Sequence, residues 1–409
     1  MAVEHIPPAI TELLPIKIAI IGALGVGAQW IAWRLQWPAI VLMSLAGLIV
    51  GPLAALTLGE PIIAPERDFG ALLEPIVALA VAVILFEGGL ALRFNELRGA
   101  GKAVRRLVAF GAPVGWLLGT LAACYAAGLP WDIAALLGGL LVVTGPTVIL
   151  PLLRQAKLAG RSAALLKWEG IVNDPVGALL AVFAFEVIHV TAEGRGWMSA
   201  AGVLLLAAAV AIALGVALGI GLAWAFRRGH VPEYLKAPVI LAAVLACYVA
   251  ANGLAAEAGL LAVTVFGITL GNARLASIDE MRRFKEYLTV ILVSSVFILL
   301  TADLDLQVLQ QLDWRLAALL LVVIFVVRPL VVSLATLGTD MSWRERLLIG
   351  WIAPRGIIAA AVSSLFADRL ETAGIPGGLG GSRWGIYGKS PFPAPLHGGR
   401  DHLCYGNLG

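Results

Sequence analysis

What most constrains this chain is a series of uncharged apolar stretches, each long enough to cross a bilayer, that recur from near residue 15 to near residue 367. Residues 39–58 and 199–226 contain no charged residue, and about 20 such residues suffice to span the hydrocarbon core as a helix. Inside that core each peptide group must find its partner within the protein, so only helices and closed barrels can cross, and runs of this length point to helices. Composition agrees, with 60% hydrophobic and 13% charged residues, far from the soluble range. The net charge of +3 is too small to imply a nucleic-acid partner. Cys124 and Cys247 lie within apolar runs and Cys404 near the C-terminus, so no disulfide framework or metal-ligand cluster follows from spacing. No signature calls for a cofactor. The N-terminus lacks a basic segment followed by a small-residue cleavage site, so the first apolar run is expected to be retained as a helix.

The pattern predicts about twelve helices, at roughly 15–34, 39–58, 71–92, 104–127, 131–153, 162–189, 199–226, 237–253, 257–273, 287–303, 314–338 and 345–367. The odd-numbered loops hold most of the basic residues, for example Arg93, Arg98, Lys102, Arg105 and Arg106 after the third helix and Arg154, Lys157 and Arg161 after the fifth. The even-numbered loops hold Arg67, Arg195, Arg315 and Arg369. Cytoplasmic loops carry the positive excess, so the N-terminus is expected outside the cytoplasm. One missed helix would scramble this alternation, so the alternation supports the count.

The two halves echo each other. The second predicted helix carries Gly47 and Gly51 and the ninth carries Gly267 and Gly271, small residues four apart that permit close helix approach. The fifth is interrupted at Thr144-Gly145-Pro146-Thr147 and the twelfth at Ala353-Pro354-Arg355-Gly356. A repeat offset by seven helices places partners in opposite orientations, the pattern of an inverted repeat, and broken helices at corresponding positions point to a transporter's binding site. Kinks without function would leave the same residues.

Charge inside a membrane helix is costly unless paired or hydrated. The ionisable residues within the predicted helices include Glu74 and Glu87 in the third, Glu169 and Asp174 in the sixth, Arg328 in the eleventh and Arg355 at the twelfth's break. Glu169 and Asn173 lie four apart and share a face, with Asp174 one position on. Pro175 follows and cannot donate a backbone hydrogen bond. A lone carboxylate withdrawn from water resists standing bare and holds either a proton or a small cation, one excluding the other. Combined with alternating access to a midplane site, that competition suffices for antiport. Asn173 cannot ionise, so the pair offers one switching charge and favours one-for-one exchange. The alternative is that Arg328 or Arg355 neutralises Asp174 and the pair only holds helices together.

These residues resemble a known family. The run Trp168-Glu169-Gly170-Ile171-Val172-Asn173-Asp174-Pro175 resembles a motif of the NhaP-like sodium/proton antiporters, relatives of the sodium/hydrogen exchangers. Phe86-Glu87-Gly88-Gly89-Leu90, Thr144-Gly145-Pro146-Thr147 and Arg355-Gly356 resemble three further segments of that family, in its order. The resemblance implies an all-α polytopic membrane protein of inverted-repeat fold with two broken, crossing helices, and a homodimer. It implies Asp174 as the proton and cation carboxylate, Asn173 as its orienting neighbour, and Glu87 and Thr144 as cation ligands. It also implies a bracing ion pair of Glu169 with Arg355, and helix breaks at Gly145, Pro146, Pro354 and Gly356. Glu87 as a helix-end carboxylate balancing Arg93 is the alternative.

Oxygen ligands suit a hard monovalent cation. Gly145 stands where the family often has Asp and Gly170 where it often has Ser, which leaves the ion open between sodium and potassium. Intramembrane enzymes need a nucleophile or metal site, and no His-Glu-x-x-His occurs. A sodium-coupled symporter or a cation channel remains the rival class. Residues 1–373 are thus expected to form the exchanger domain of a bacterial inner membrane. Residues 374–409, with the Gly-rich segment at 377–381 and Pro391, Pro393 and Pro395, read like a shifted frame in place of a thirteenth helix.

Overall fold

The structure is a computed structural model and describes residues 8–35, 37–97, 101–145, 153, 160–192, 196–255, 258–273, 278–304, 314–339 and 341–352. The described residues are all-helical. Twelve helices follow in chain order: α1 (Pro8–Leu35), α2 (Ala39–Leu58), α3 (Pro65–Ala91), α4 (Gly101–Ala127), α5 (Trp131–Val142), α6 (Gly160–Ala192), α7 (Trp197–Arg227), α8 (Glu233–Leu254), α9 (Ala258–Asn272), α10 (Ile278–Ala302), α11 (Trp314–Ala335) and α12 (Trp343–Trp351). Eight of them are long and apolar enough to cross a membrane, and α5, α9 and Leu288–Ala302 of α10 are shorter apolar helices.

Departures from the expected boundaries have local causes. α3 begins six residues early because Pro65 starts a first turn, which Gly70 then bends at φ 50°. α10 begins well before residue 287 because the polar stretch from Ile278 continues the same helix. α5 stops at Val142, where Val143 turns extended at φ −57° and ψ 124°. α12 likewise stops at Trp351, with Ile352 extended at φ −79° and ψ 100°. Pro146, Pro354, Arg355, Gly356 and the tail from residue 374 lie outside the described residues.

The helices pack as two bundles. α4, α5, α6, α11 and α12 form one, and α1, α2, α3, α7, α8, α9 and α10 form the other, with α6 reaching across to α7, α9 and α3. In the second bundle the glycine pairs do what their spacing promised. Gly47 and Gly51 press on α10, where a Cβ would overlap Thr301 and the Ala302 carbonyl. Gly267 and Gly271 press on the α3 backbone at Phe86 and Leu90. With partners seven helices apart, α2 on α10 and α9 on α3 are the same contact seen in each half of an inverted repeat. Without a hydrophobic drive between helices in lipid, such close backbone approach supplies much of the association energy.

In the first bundle, α5 and α6 run antiparallel. A Cβ on Gly139 would lie 2.7 Å from the Ala181 nitrogen, and one on Gly177 would lie 2.8 Å from the Val143 nitrogen. Each step of four up α5 thus matches a step of four back down α6. The next step along α6 falls on Asn173, level with the break that follows Val143.

Candidate functional site

α6 carries the central residues. Its 33 residues measure about 50 Å, longer than the hydrocarbon core, so Asp174 lies well inside. Pro175 removes the N–H that would have bonded the Ile171 carbonyl and loosens the ladder there. Asp174 is 1% exposed, Asn173 4% and Thr144 4%. Both carboxylate oxygens of Asp174, the Asn173 Oδ1 and the Thr144 Oγ1 are buried with no hydrogen-bond partner among the described residues. Buried polar groups are nearly always satisfied, so these four atoms are the candidates for an ion or proton site. Four oxygens suit a hard cation or a proton better than they suit one another.

Glu169 is different. It is 2% exposed, and both its oxygens accept from Arg328, Oε1 from Nη1 and Oε2 from Nη2 at 2.8 Å. The expected partner was Arg355, which lies outside the described residues; Arg328 is the partner seen. Pro329 shapes the turn that presents Arg328, because it cannot supply its turn's N–H. The chain widens into a π turn at Val323–Val327, and the Arg328 N–H bonds back to the Val323 carbonyl. That turn directs Arg328 at Glu169, and its Nη2 also donates to the Ile352 carbonyl at 3.3 Å, bracing α6 against the end of α12. Arg328 is therefore committed to Glu169, and the reading in which it neutralises Asp174 does not hold.

Glu87 sits partly buried on α3 and accepts from the Thr289 hydroxyl of α10. No hydrogen bond joins it to Asp174. Arg93, six residues on, donates to the Gly271 carbonyl at the end of α9. Thr144, Asn173 and Asp174 thus lie buried in the first bundle, and Glu87 lies in the second.

Two features escaped the sequence reading. Lys167 donates to both oxygens of Glu96 at 3.0 Å, and Lys17 pairs with a buried Asp68, which also accepts from the Ala64 N–H at 2.9 Å. A signal for the first was available, since the predicted sixth helix contains Lys167 as well as Glu169. No spacing rule could have supplied its partner 71 residues away.

An all-helical bundle with eight helices long and apolar enough to cross a membrane, and a carboxylate buried in one of them, defines a polytopic membrane protein. Comparison with known proteins gives the family. The chain belongs to the transmembrane sodium/hydrogen exchanger family, whose model matches residues 18–377, a family of transporters rather than enzymes. It is 27% identical over 374 residues to the K(+)/H(+) antiporter NhaP of Alkalimonas amylolytica, covering 89% of this chain and 62% of that protein. It is 26% identical over 350 residues to Na(+)/H(+) antiporter 1 of Methanocaldococcus jannaschii, covering 81% and 78%. The chain therefore spans about three fifths of the first of these relatives. The solved structure of the sodium proton antiporter MjNhaP1 from Methanocaldococcus jannaschii superposes with a TM-score of 0.76 at 23% identity, over 89% of this chain and 90% of that one; the folds are the same.

Proposed function

We propose that this protein exchanges a monovalent cation, sodium or potassium, for protons across a bacterial inner membrane, one for one. The observation that carries the reading is Asp174, wholly buried in a membrane helix with neither oxygen partnered among the described residues. A bare carboxylate there is costly, so proton and cation compete to occupy it. Asn173 and Thr144 supply neutral oxygens around it, and Glu87 joins from the second bundle as a further ligand when the two bundles approach. Asn173 adds no charge, so each cycle switches one. Glu169 and Arg328 brace the bundle as an ion pair. The names of the relatives support both ions, potassium for one and sodium for another, and Gly145 and Gly170 leave room where side-chain oxygens would narrow the choice. The alternation of basic loops supports a non-cytoplasmic N-terminus, and the family resemblance supports a homodimer.

Proteoliposomes holding an imposed pH gradient test this. Sodium, potassium and lithium are added in turn, with no organic solute. Wild type is expected to dissipate the gradient and Asp174→Asn to leave it at the protein-free rate. Exchange by the variant at the wild-type rate removes Asp174 from the mechanism; a membrane potential generated during exchange removes the one-for-one stoichiometry.

A further inference from the structure

We propose that the ion pair of Lys167 and Glu96 is a cation gate at the mouth of the path to Asp174, a role that rests on the exchange function above. A cleft of about 600 Å³ opens at the end of the bundle that bears the basic loops, lined by Asn95, Glu96, Leu153, Gly160, Arg161 and Lys167, among others. Gly160, Ala164 and Lys167 follow helical spacing along one stripe of α6. The same stripe continues through Ile171 to Asp174, seven residues and about 10 Å beyond Lys167. A second cleft lies at the opposite end between α2, α3 and α10, and no α6 residue is on its lining. The first has Gly160, Arg161, Ala164 and Lys167 on its lining and so opens onto the helix that carries Asp174.

At its throat the Lys167 ammonium sits 3.0 Å from both oxygens of Glu96. The two side chains are 18% and 36% exposed, so water and ions reach them. Arg161, the other basic residue on the lining, lies within electrostatic reach of Glu345. Lys167 is thus a tethered monovalent cation resting on a carboxylate, with the charge of the proposed cargo. An incoming cation meets it as a competitor: the ammonium swings aside on its four-carbon stem, the cation takes its place at Glu96, and the stripe leads it inward.

The two partners also belong to different bundles. Glu96 follows an elbow pinned to α9, where the Asn272 side chain donates to the Leu92 carbonyl at 2.9 Å and accepts from the Phe94 N–H at 2.8 Å. Lys167 rides on α6 with Asp174. A shift of one bundle against the other therefore parts the pair and opens or shuts the mouth together with the site.

Two readouts on the same variants test the gate. In proteoliposomes with cation presented at the basic-loop face, Lys167→Gln is expected to lower the half-saturating cation concentration about threefold and Glu96→Gln to raise it by a similar factor, as suits a partly exposed pair. The double variant returns near wild type. The second readout needs no transport: Ala164→Cys in a Cys404→Ser background, with Cys124 and Cys247 buried, is labelled by a cationic and an anionic methanethiosulfonate. The ratio of cationic to anionic labelling rates should rise in Lys167→Gln and fall in Glu96→Gln. Equal ratios in all backgrounds, or a fall in maximal rate with half-saturation unmoved, overturn the gate and leave the exchange reading standing. The expected labelling pattern across the variants, with no cation moved by wild type, overturns the exchange reading instead.

Discussion

The two bundles solve the membrane problem in opposite ways. In the second bundle, the polar side chains that are buried are mostly occupied: Thr264 donates to the Leu260 carbonyl, Ser294 to the Val290 carbonyl, and Asp68 takes Lys17 and the Ala64 N–H. Its helices meet through glycine, backbone on backbone, as α5 and α6 also do in the first bundle. The first bundle also buries Thr144, Glu169, Asn173, Asp174 and Arg328, pairs two of them and, among the described residues, leaves the other three short of partners. A satisfied, closely packed bundle has one arrangement, whereas an under-satisfied one has a use for a ligand. The division assigns rigidity to one region and occupancy to the other.

That division can be broken by mutation, and the largest effect is expected where the first bundle depends on a pair. Arg328→Met leaves Glu169 buried and unpaired and should cost about 3 to 5 kcal/mol of stability. It would be read as a lowered thermal midpoint in detergent, with Glu169→Gln in the same chain recovering most of the loss. If the single variant is as stable as wild type, Glu169 is not held in the way described. Next comes the second bundle, where Gly267→Leu forces a side chain into the Phe86 carbonyl and should cost about 1 to 3 kcal/mol. Unlike the first, no second-site charge change should rescue it, and a rescue of that kind would blur the distinction between the bundles.

The smallest effect belongs to the start of α12, a helix of the first bundle that a capping box fixes. Ser342 accepts from the Glu345 N–H, and the Glu345 carboxylate accepts from the Ser342 N–H and hydroxyl. Ser342→Ala should cost about 1 kcal/mol. Those same bonds hold the Glu345 carboxyl below its ordinary range. Its contribution is therefore fully present above the ordinary glutamate value and fades as pH falls through the lower folded one. The gap in thermal midpoint between wild type and Glu345→Gln should narrow on acidification below about pH 4; a gap that widens would contradict the cap.

Much of the fold was legible because membrane helices announce themselves one segment at a time. Residues 39–58 and Trp197–Arg227 need no distant partner to be recognised, since their own length and apolarity fix them as spans. The stops of α5 at Val142 and α12 at Trp351 were legible for the same local reason, as the glycine and proline that follow each of them end a helix wherever it packs. Glu96 with Lys167 and Glu169 with Arg328 were not legible, because each joins side chains from helices far apart in sequence. Arg355, the partner expected for Glu169, lies outside the described residues, and the partner seen, Arg328, is presented by the wide turn before Pro329.

The sequence by itself determined that this chain crosses a membrane many times, where it crosses, and that a carboxylate at 174 stands in one of the crossings. Each of these follows from local chemistry, the cost of bare charge and unpaired backbone in lipid. Only the tertiary structure decided which charges are spent on one another and which are left open. It gave Arg328 to Glu169, Thr289 to Glu87 and Lys167 to Glu96, and among the described residues it left both oxygens of Asp174, the Asn173 Oδ1 and the Thr144 Oγ1 unpartnered. Pairing is a property of where helices cross, which no segment carries alone.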